Sequence, residues 1–348
     1  MSLRSRSLLR LMPRAMLMAA VAVVLYGSAR AQEDPMGLPP RTSQPPASAQ
    51  QEPTPQNSEP SIAPAQGTED QGRFVFKKQV QEVVLHATVV DDSGRLVMGL
   101  DRSAFSVYQN GQAEAITSFR REDVPVAIGI VIDNSGSMRD KRAKVNQAVV
   151  NLVRAGNSQD EVFVVNFSQT PYLDQDFTSD VKLLQTALHQ VSSKGSTALY
   201  DAVVASNVHL RNNQRLEKKV LLLITDGQDN MSRETLQDAL RKLQSNKGAT
   251  LYAIGLTNAG LTRSGREALQ SLAASTGGAA YFPQSLDEVD SITRSIAHDI
   301  RSQYTLAYNP GPNIGTGYQR IRVDVRGPAH THLTVRTRTG YYPGEAVK

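Results

Sequence analysis

Asp133-Asn134-Ser135-Gly136-Ser137 sets one carboxylate and two hydroxyls at alternate positions of a short polar run. All three are hard oxygen donors, the kind that Mg2+ and Ca2+ select. Two distant stretches carry the same chemistry. Gly195-Ser196-Thr197-Ala198-Leu199-Tyr200-Asp201 supplies Thr197, and Thr225-Asp226-Gly227 supplies Asp226. Taken singly, each has an ordinary structural reading. Asp, Asn and Ser recur in turns and at helix N-caps because their side chains bond nearby backbone N–H groups. Thr197 alone reads as such a cap, and Thr-Asp-Gly alone as a turn. The three segments make a divalent-cation site only if the fold brings them to one place.

The hydrophobic pattern predicts elements that would do so. Residues 126–132 form an almost unbroken, β-branched apolar run that ends abruptly at Asp133. Such a run reads as a strand buried on both faces, as in a parallel sheet covered by helices. Further strands are expected at 161–167, 219–224, 250–254 and 279–282. Helical periodicity marks 141–154, 181–191, 199–211, 233–245, 263–275 and 286–300. Strands alternating with helices predict βαβ units, hence an α/β, doubly wound and mainly parallel sheet. Ligands of such sheets bind at the carboxyl ends of the strands. Asp133 and Asp226 are placed at two of those ends, and Thr197 where a helix opens.

The flanks read differently. Residues 80–90, 104–108 and 113–119 alternate, with turns at Asp91-Asp92-Ser93-Gly94 and at Asn110-Gly111, a strong hairpin signal. Residues 302–308, 319–325 and 332–339 alternate as well, separated by Asn309-Pro310-Gly311-Pro312 and Gly327-Pro328. Neither flank has enough strands to close a sandwich. The expectation is one β-sandwich made from both ends of the chain, with the α/β domain inserted between them. Domain boundaries follow at 1–31, 32–72, 73–122, 123–301 and 302–348.

Residues 1–31 read as a secretory signal. Arg4, Arg6, Arg10 and Arg14 precede an apolar stretch at 15–26, and Ala29-Arg30-Ala31 offers a small-x-small cleavage site. Retained, the segment would act as a membrane anchor. An exported protein is therefore expected: periplasmic, cell-surface or secreted. Residues 32–72, dominated by Gln, Pro, Ser, Glu and Ala, read as a disordered spacer. The signal also accounts for the charge. The formal net charge is +5, and residues 1–31 hold five arginines and no acid, so the remainder is neutral. A neutral chain lacks the electrostatic footprint of nucleic-acid binding. There is no cysteine, which excludes disulfides, thiolate metal sites and a thiol nucleophile. No Gly-x-x-x-x-Gly-Lys-Ser/Thr loop and no Gly-x-Ser-x-Gly elbow occurs. His330 and His332 would share one face of a strand, but without a third ligand nearby they read as a strand end. His86, His189, His209 and His298 are scattered, and Asp101 and Asp201 read as capping or solvent-facing groups.

The three oxygen-bearing segments together resemble a von Willebrand factor type A domain. Its metal-ion-dependent adhesion site (MIDAS) has an Asp-x-Ser-x-Ser motif, a distant Thr and a distant Asp. Asp133, Ser135 and Ser137 match the first element, Thr197 the second and Asp226 the third, over roughly residues 124–300. The flanking Asp-Asp-Ser-Gly-Arg, Gln-Asn-Gly and terminal Arg-Thr-Gly-Tyr-Tyr-Pro also resemble the secreted acidobacterial VWFA-related proteins. The resemblance implies Mg2+, with Mn2+ or Ca2+ as alternatives. It implies that Ser135, Ser137 and either Thr197 or Asp226 bind directly, with the remaining acids acting through water. One position then stays open for an Asp or Glu of a partner protein, in adhesion or envelope-complex assembly. No enzyme activity is expected, because no His or Lys is recognisable beside the motif to serve as a general base. Two alternatives remain: a structural envelope protein with a vestigial cation site, and a Mg2+-dependent phosphohydrolase of the haloacid dehalogenase type. The latter needs Asp-x-Asp, and the second position here is Ser135.

Overall fold

The computed structural model describes residues 82–121, 123–189, 193–311, 314–327 and 332–344, with the side chains of 257–260 excepted. The signal at 1–31, the spacer at 32–72 and His330 lie outside the described residues. In chain order the strands before the central domain are β1 (Val83–Asp91), β2 (Phe105–Gln109), β3 (Gln112–Glu114) and β4 (Ile116–Arg120). Then come β5 (Val126–Asp133), α1 (Arg142–Arg154), β6 (Glu161–Phe167), β7 (Pro171–Thr178), α2 (Val181–His189) and α3 (Leu199–Asn212). They are followed by β8 (Lys218–Gly227), α4 (Leu236–Leu243), β9 (Thr250–Gly260), α5 (Arg263–Thr276), β10 (Ala280–Tyr281) and α6 (Glu288–Arg301). The chain closes with β11 (Tyr304–Tyr308), β12 (Gln319–Val325), β13 (Leu333–Arg336) and β14 (Gly340–Tyr341).

The central sheet has the order β10-β9-β8-β5-β6-β7. All its strands run parallel except β7, which pairs antiparallel with β6 at the edge. From β5 the chain moves outward to β6 and β7, then returns to β8 on the other side. The order thus reverses between β5 and β8, where such sheets bind ligands. Every residue of β5 is buried, as its unbroken apolar run predicts. Ile128, Ile130 and Ile132 pack against Val145 and Val149 of α1, Leu184 of α2 and Ile296 of α6. Ala127 and Val131 face the opposite layer, with Leu199 and Val203 of α3, Leu243 of α4 and Leu272 of α5. Each such fully buried aliphatic side chain contributes about 1.5–3 kcal/mol of transfer free energy, so the two layers hold the strand ends rigidly in place.

The flanks form two four-stranded sheets, β13-β1-β11-β4 and β14-β12-β2-β3, each mixing strands from both ends of the chain. Leu85, Val107, Tyr304, Leu306 and Ile321 meet in the core between them. The single return strand expected at 113–119 is two strands. β3 pairs with β2 across the Asn110-Gly111 turn, whereas β4 pairs with β11 in the other sheet. Asn110 and Gly111 have φ of 51° and 86°, the left-handed pair that a two-residue hairpin turn requires. The sandwich is tied to the central domain through Asp299 near the end of α6. Its carboxylate accepts from Thr88 Oγ1 of β1 at 2.7 Å and from Arg336 Nη2 of β13 at 2.6 Å. Among the described residues no helix is long and apolar enough to cross a membrane.

Candidate metal centre

The hydrogen-bonded β5–β8 pair carries two of the predicted residues on adjacent strand ends, Asp133 on β5 and Asp226 on β8. Both are fully buried. Beyond Asp133 the chain turns through a 3-10 segment at Gly136–Met138 before α1 begins, which carries Ser135 and Ser137 round beside the strand end. Ser135 N–H donates to Asp133 Oδ1 at 2.8 Å, and the two serine hydroxyls lie 3.2 Å apart. Ser137 Oγ donates to Asp226 Oδ1 at 2.8 Å and is the exposed member of the group.

Thr197 arrives from the loop before α3, and backbone bonds pin that loop to the other two. Gly136 N–H donates to Gly195 O at 3.3 Å, Lys194 N–H to Asn134 O at 2.9 Å, and Ala198 N–H to Ser168 O at 2.6 Å. On the far side, Thr197 N–H donates to Asn230 Oδ1 at 2.9 Å while Asn230 N–H donates to Thr197 O at 3.0 Å. Gly227 lies between the two oxygens: a Cβ there would stand 3.5 Å from Thr197 Oγ1 and 4.0 Å from Asp133 Oδ2, at ordinary contact distance from both. The structure therefore brings all five predicted residues together, from three loops at one rim of the sheet.

Four further residues, not singled out from the sequence, complete the arrangement. Thr225 Oγ1 donates to Asp133 Oδ2 at 2.6 Å, so each carboxylate oxygen of Asp133 has a donor. Burial pushes the Asp133 carboxyl up from the usual range, and these two hydrogen bonds oppose the shift. Asp229 caps α3 from another loop: its Oδ1 accepts from Leu199 N–H at 2.8 Å and Tyr200 N–H at 3.3 Å. Asn230 holds Thr197. Lys141 corrects an expectation, since its ammonium donates to Asp226 Oδ2 inside the site. It lies four residues past Ser137, and the 3-10 turn folds it back over the strand end. Nothing local marks Lys141 in the sequence, because its partner is 85 residues away.

Behind the site, Arg142 is buried, and neither Nη atom has a hydrogen-bond partner. Desolvation lowers its guanidinium to about 10, against attraction from Asp174 and Asp133. Asp201, expected as a cap or a solvent-facing group, accepts from Arg233 and Glu234 N–H and so fixes the loop after Asp229. His332 is exposed and contacts Asp92 at 3.1 Å. Among the described residues no cluster of three or more His, Cys, Asp or Glu side chains could hold a metal. The oxygen set here has two acids and three hydroxyls, and its donor chemistry fits a hard divalent ion.

Residues 127–295 match the family model of the von Willebrand factor type A domain. Proximal thread matrix protein 1 of the mussel byssus, in a structure with a zinc-occupied MIDAS motif, is similar at 18% identity and a TM-score of 0.46. That match covers 56% of this chain and 50% of the mussel chain. The chain thus spans about half the length of that protein. A von Willebrand factor type A protein of Catenulispora acidiphila is similar at 13% identity and a TM-score of 0.44, covering 78% of this chain and 76% of its own. No curated protein matches the chain.

Proposed function

Because the chain carries a von Willebrand factor type A domain over residues 127–295, we propose that it is an exported protein-binding module. In this reading it holds Mg2+ at Asp133, Ser135, Ser137, Thr197 and Asp226 and offers the ion to an Asp or Glu of a partner protein. The observation that carries the reading is the convergence of these oxygens from three loops at one sheet rim. A bound Mg2+ would supply a positive centre that three neutral hydroxyls leave incompletely neutralised. Burial of Asp133 and Asp226 keeps the carboxylates fixed, while exposed Ser137 marks the side from which a partner could approach. Binding rather than hydrolysis follows from the side chains present. Ser135 stands where a phosphohydrolase would need a second aspartate, and the Lys141 side chain is already engaged with Asp226. Export rests on the signal-like residues 1–31.

A second reading, a structural envelope protein with a vestigial cation site, draws on Lys141, whose ammonium already neutralises Asp226. Calorimetric titration with Mg2+, Mn2+ and Ca2+ separates the two. The proposed site takes up one ion saturably and loses that uptake in Asp133→Ala, whereas a vestigial site shows no uptake in the wild type. A pull-down from envelope extract, run with Mg2+ and with chelator, then tests the partner. Capture that ignores the chelator rules out a metal-bridged contact.

A further inference from the structure

At the end of the central sheet opposite the candidate metal centre, a cleft of about 730 Å3 opens between the α/β domain and the sandwich. β8 and β9 begin there, α3 and α4 end there, and β1 forms a wall through Val84 and His86. Its size falls in the range of small-molecule sites. Three of its cations, Lys219, Lys247 and Arg338, pair with no carboxylate among the described residues. Arg338 donates to the carbonyls of Gly340, Asn246 and Ser245 at 3.2, 2.9 and 2.6 Å, and Lys219 Nζ to Leu216 O at 2.8 Å. Of the two acids lining the cleft, Glu217 already takes Arg120 at 2.7 Å, which leaves Glu82.

Magnitudes decide whether those carbonyls are counter-charge enough. A helix C-terminus carries roughly half a negative charge, so α3, α4 and α5, all of which end at the cleft, together with Glu82 offset about two and a half of these three cations. About half a positive charge is left over. The surroundings report the same surplus. The charged groups acting on His86 are Lys218, Arg120, Arg338 and Lys219, all positive, and with desolvation as the larger cause they lower its pKa to about 3. The Lys219 ammonium is lowered by burial and then by Lys247, and Glu217 opposes the shift. A like-charged pair that one shared carboxylate offsets only in part is stabilised when an anion joins it.

We propose that this cleft is a binding site for an anionic small molecule, held by Lys219 and Lys247 through a phosphate or carboxylate group, with its body against Val84 and Leu216. The site is independent of the metal centre and stands or falls without it.

The test is calorimetric titration of the full chain, in chelator and at low salt, with inorganic pyrophosphate in one arm and succinate in the other. Saturable one-to-one binding in at least one arm is expected, and the arm that binds identifies the group. Lys219→Gln with Lys247→Gln should weaken binding at least about tenfold, roughly 1.4 kcal/mol. Lys247 is exposed, so Lys247→Gln alone tests the site even if the double variant folds poorly. His86 supplies a second readout: bound anion should raise its pKa from about 3 in an NMR titration. Absence of binding in both arms up to about 10 mM, equal affinity in the lysine variants, or a His86 that does not respond at saturation would each overturn the proposal.

Discussion

The two rims of the central sheet treat buried charge in opposite ways. At the carboxyl rim, where helices begin, the charges are Asp133 and Asp226, and every carboxylate oxygen has a donor: Ser135 N–H and Thr225 for the first, Ser137 and Lys141 for the second. At the amino rim, where helices end, the charges are Lys218, Lys219 and Arg338, and their partners are backbone carbonyls. The sign of these acids and of these cations follows the helix dipoles, which favour anions at N-termini and cations at C-termini; Arg142, buried at the start of α1, runs against it. The completeness of pairing does not follow the dipoles. The acids of the carboxyl rim are satisfied from within, atom by atom, while Arg142 behind them keeps both Nη atoms unpartnered. The amino rim rests on partial charges, except where a carboxylate such as Asp299 has been supplied.

The largest expected effect tests that exception. Asp299 accepts from Thr88 and Arg336 and is almost wholly buried. Asp299→Asn leaves the Arg336 guanidinium without its counter-charge, and removing one partner of such a pair costs about 3 kcal/mol. Urea unfolding should show that loss. If the loss stays below about 1 kcal/mol, carbonyls suffice for cations at this rim and the contrast between the rims disappears.

A smaller effect is expected at the carboxyl rim. Thr225→Val keeps the shape of the side chain but removes the donor to Asp133 Oδ2. An oxygen left unpaired in a buried site costs about 2 kcal/mol. A group that orients a metal ligand typically accounts for about 10- to 100-fold in affinity, so Mg2+ uptake should weaken by that order. Unchanged uptake would mean that Asp133 is positioned by Ser135 N–H alone.

These effects also explain what the sequence could disclose. Strands β5, β6 and β8 were legible because both faces of each are buried, which forces continuous apolar runs with abrupt polar ends. Their ends put Asp133 and Asp226 at carboxyl termini of strands, and the pairing of β5 with β8 then sets the two side by side. Thr225, Asp229, Asn230 and Lys141 act through contacts 29 to 92 residues away, and no local spacing records them. β7 was missed for a different reason. It opens on Pro171, sits at a sheet edge and is largely polar, so it lacks the signature of a buried strand. α4 begins at Leu236 rather than near Arg233 because Thr235 and Asp238 form a capping box there.

The most direct measure of the amino rim concerns Lys218. Its side chain is buried and donates to Ile300 O at the end of α6, and desolvation lowers its pKa to about 8 from 10.5. The sign of the consequence is unusual for a lysine. Below pH 8 both folded and unfolded chains hold the proton, and the folded state bears the whole cost of a buried ammonium. Between about 8 and 10.5 the unfolded chain holds a proton that the folded chain has released, so rising pH favours folding through this window. At about 1.4 kcal/mol per pKa unit the gain is at most about 3 kcal/mol. Lys218→Met removes the titration and gives up one hydrogen bond to a carbonyl, so at pH 7 it should be no less stable than the wild type. The informative quantity is the difference in unfolding free energy between variant and wild type, since other lysines and tyrosines cancel in it. That difference should shift in favour of the wild type as pH rises from 8 to 10.5. If it is flat across the window, the Lys218 ammonium is paid no penalty by burial, and the amino rim solvates its cations as fully as the carboxyl rim satisfies its acids.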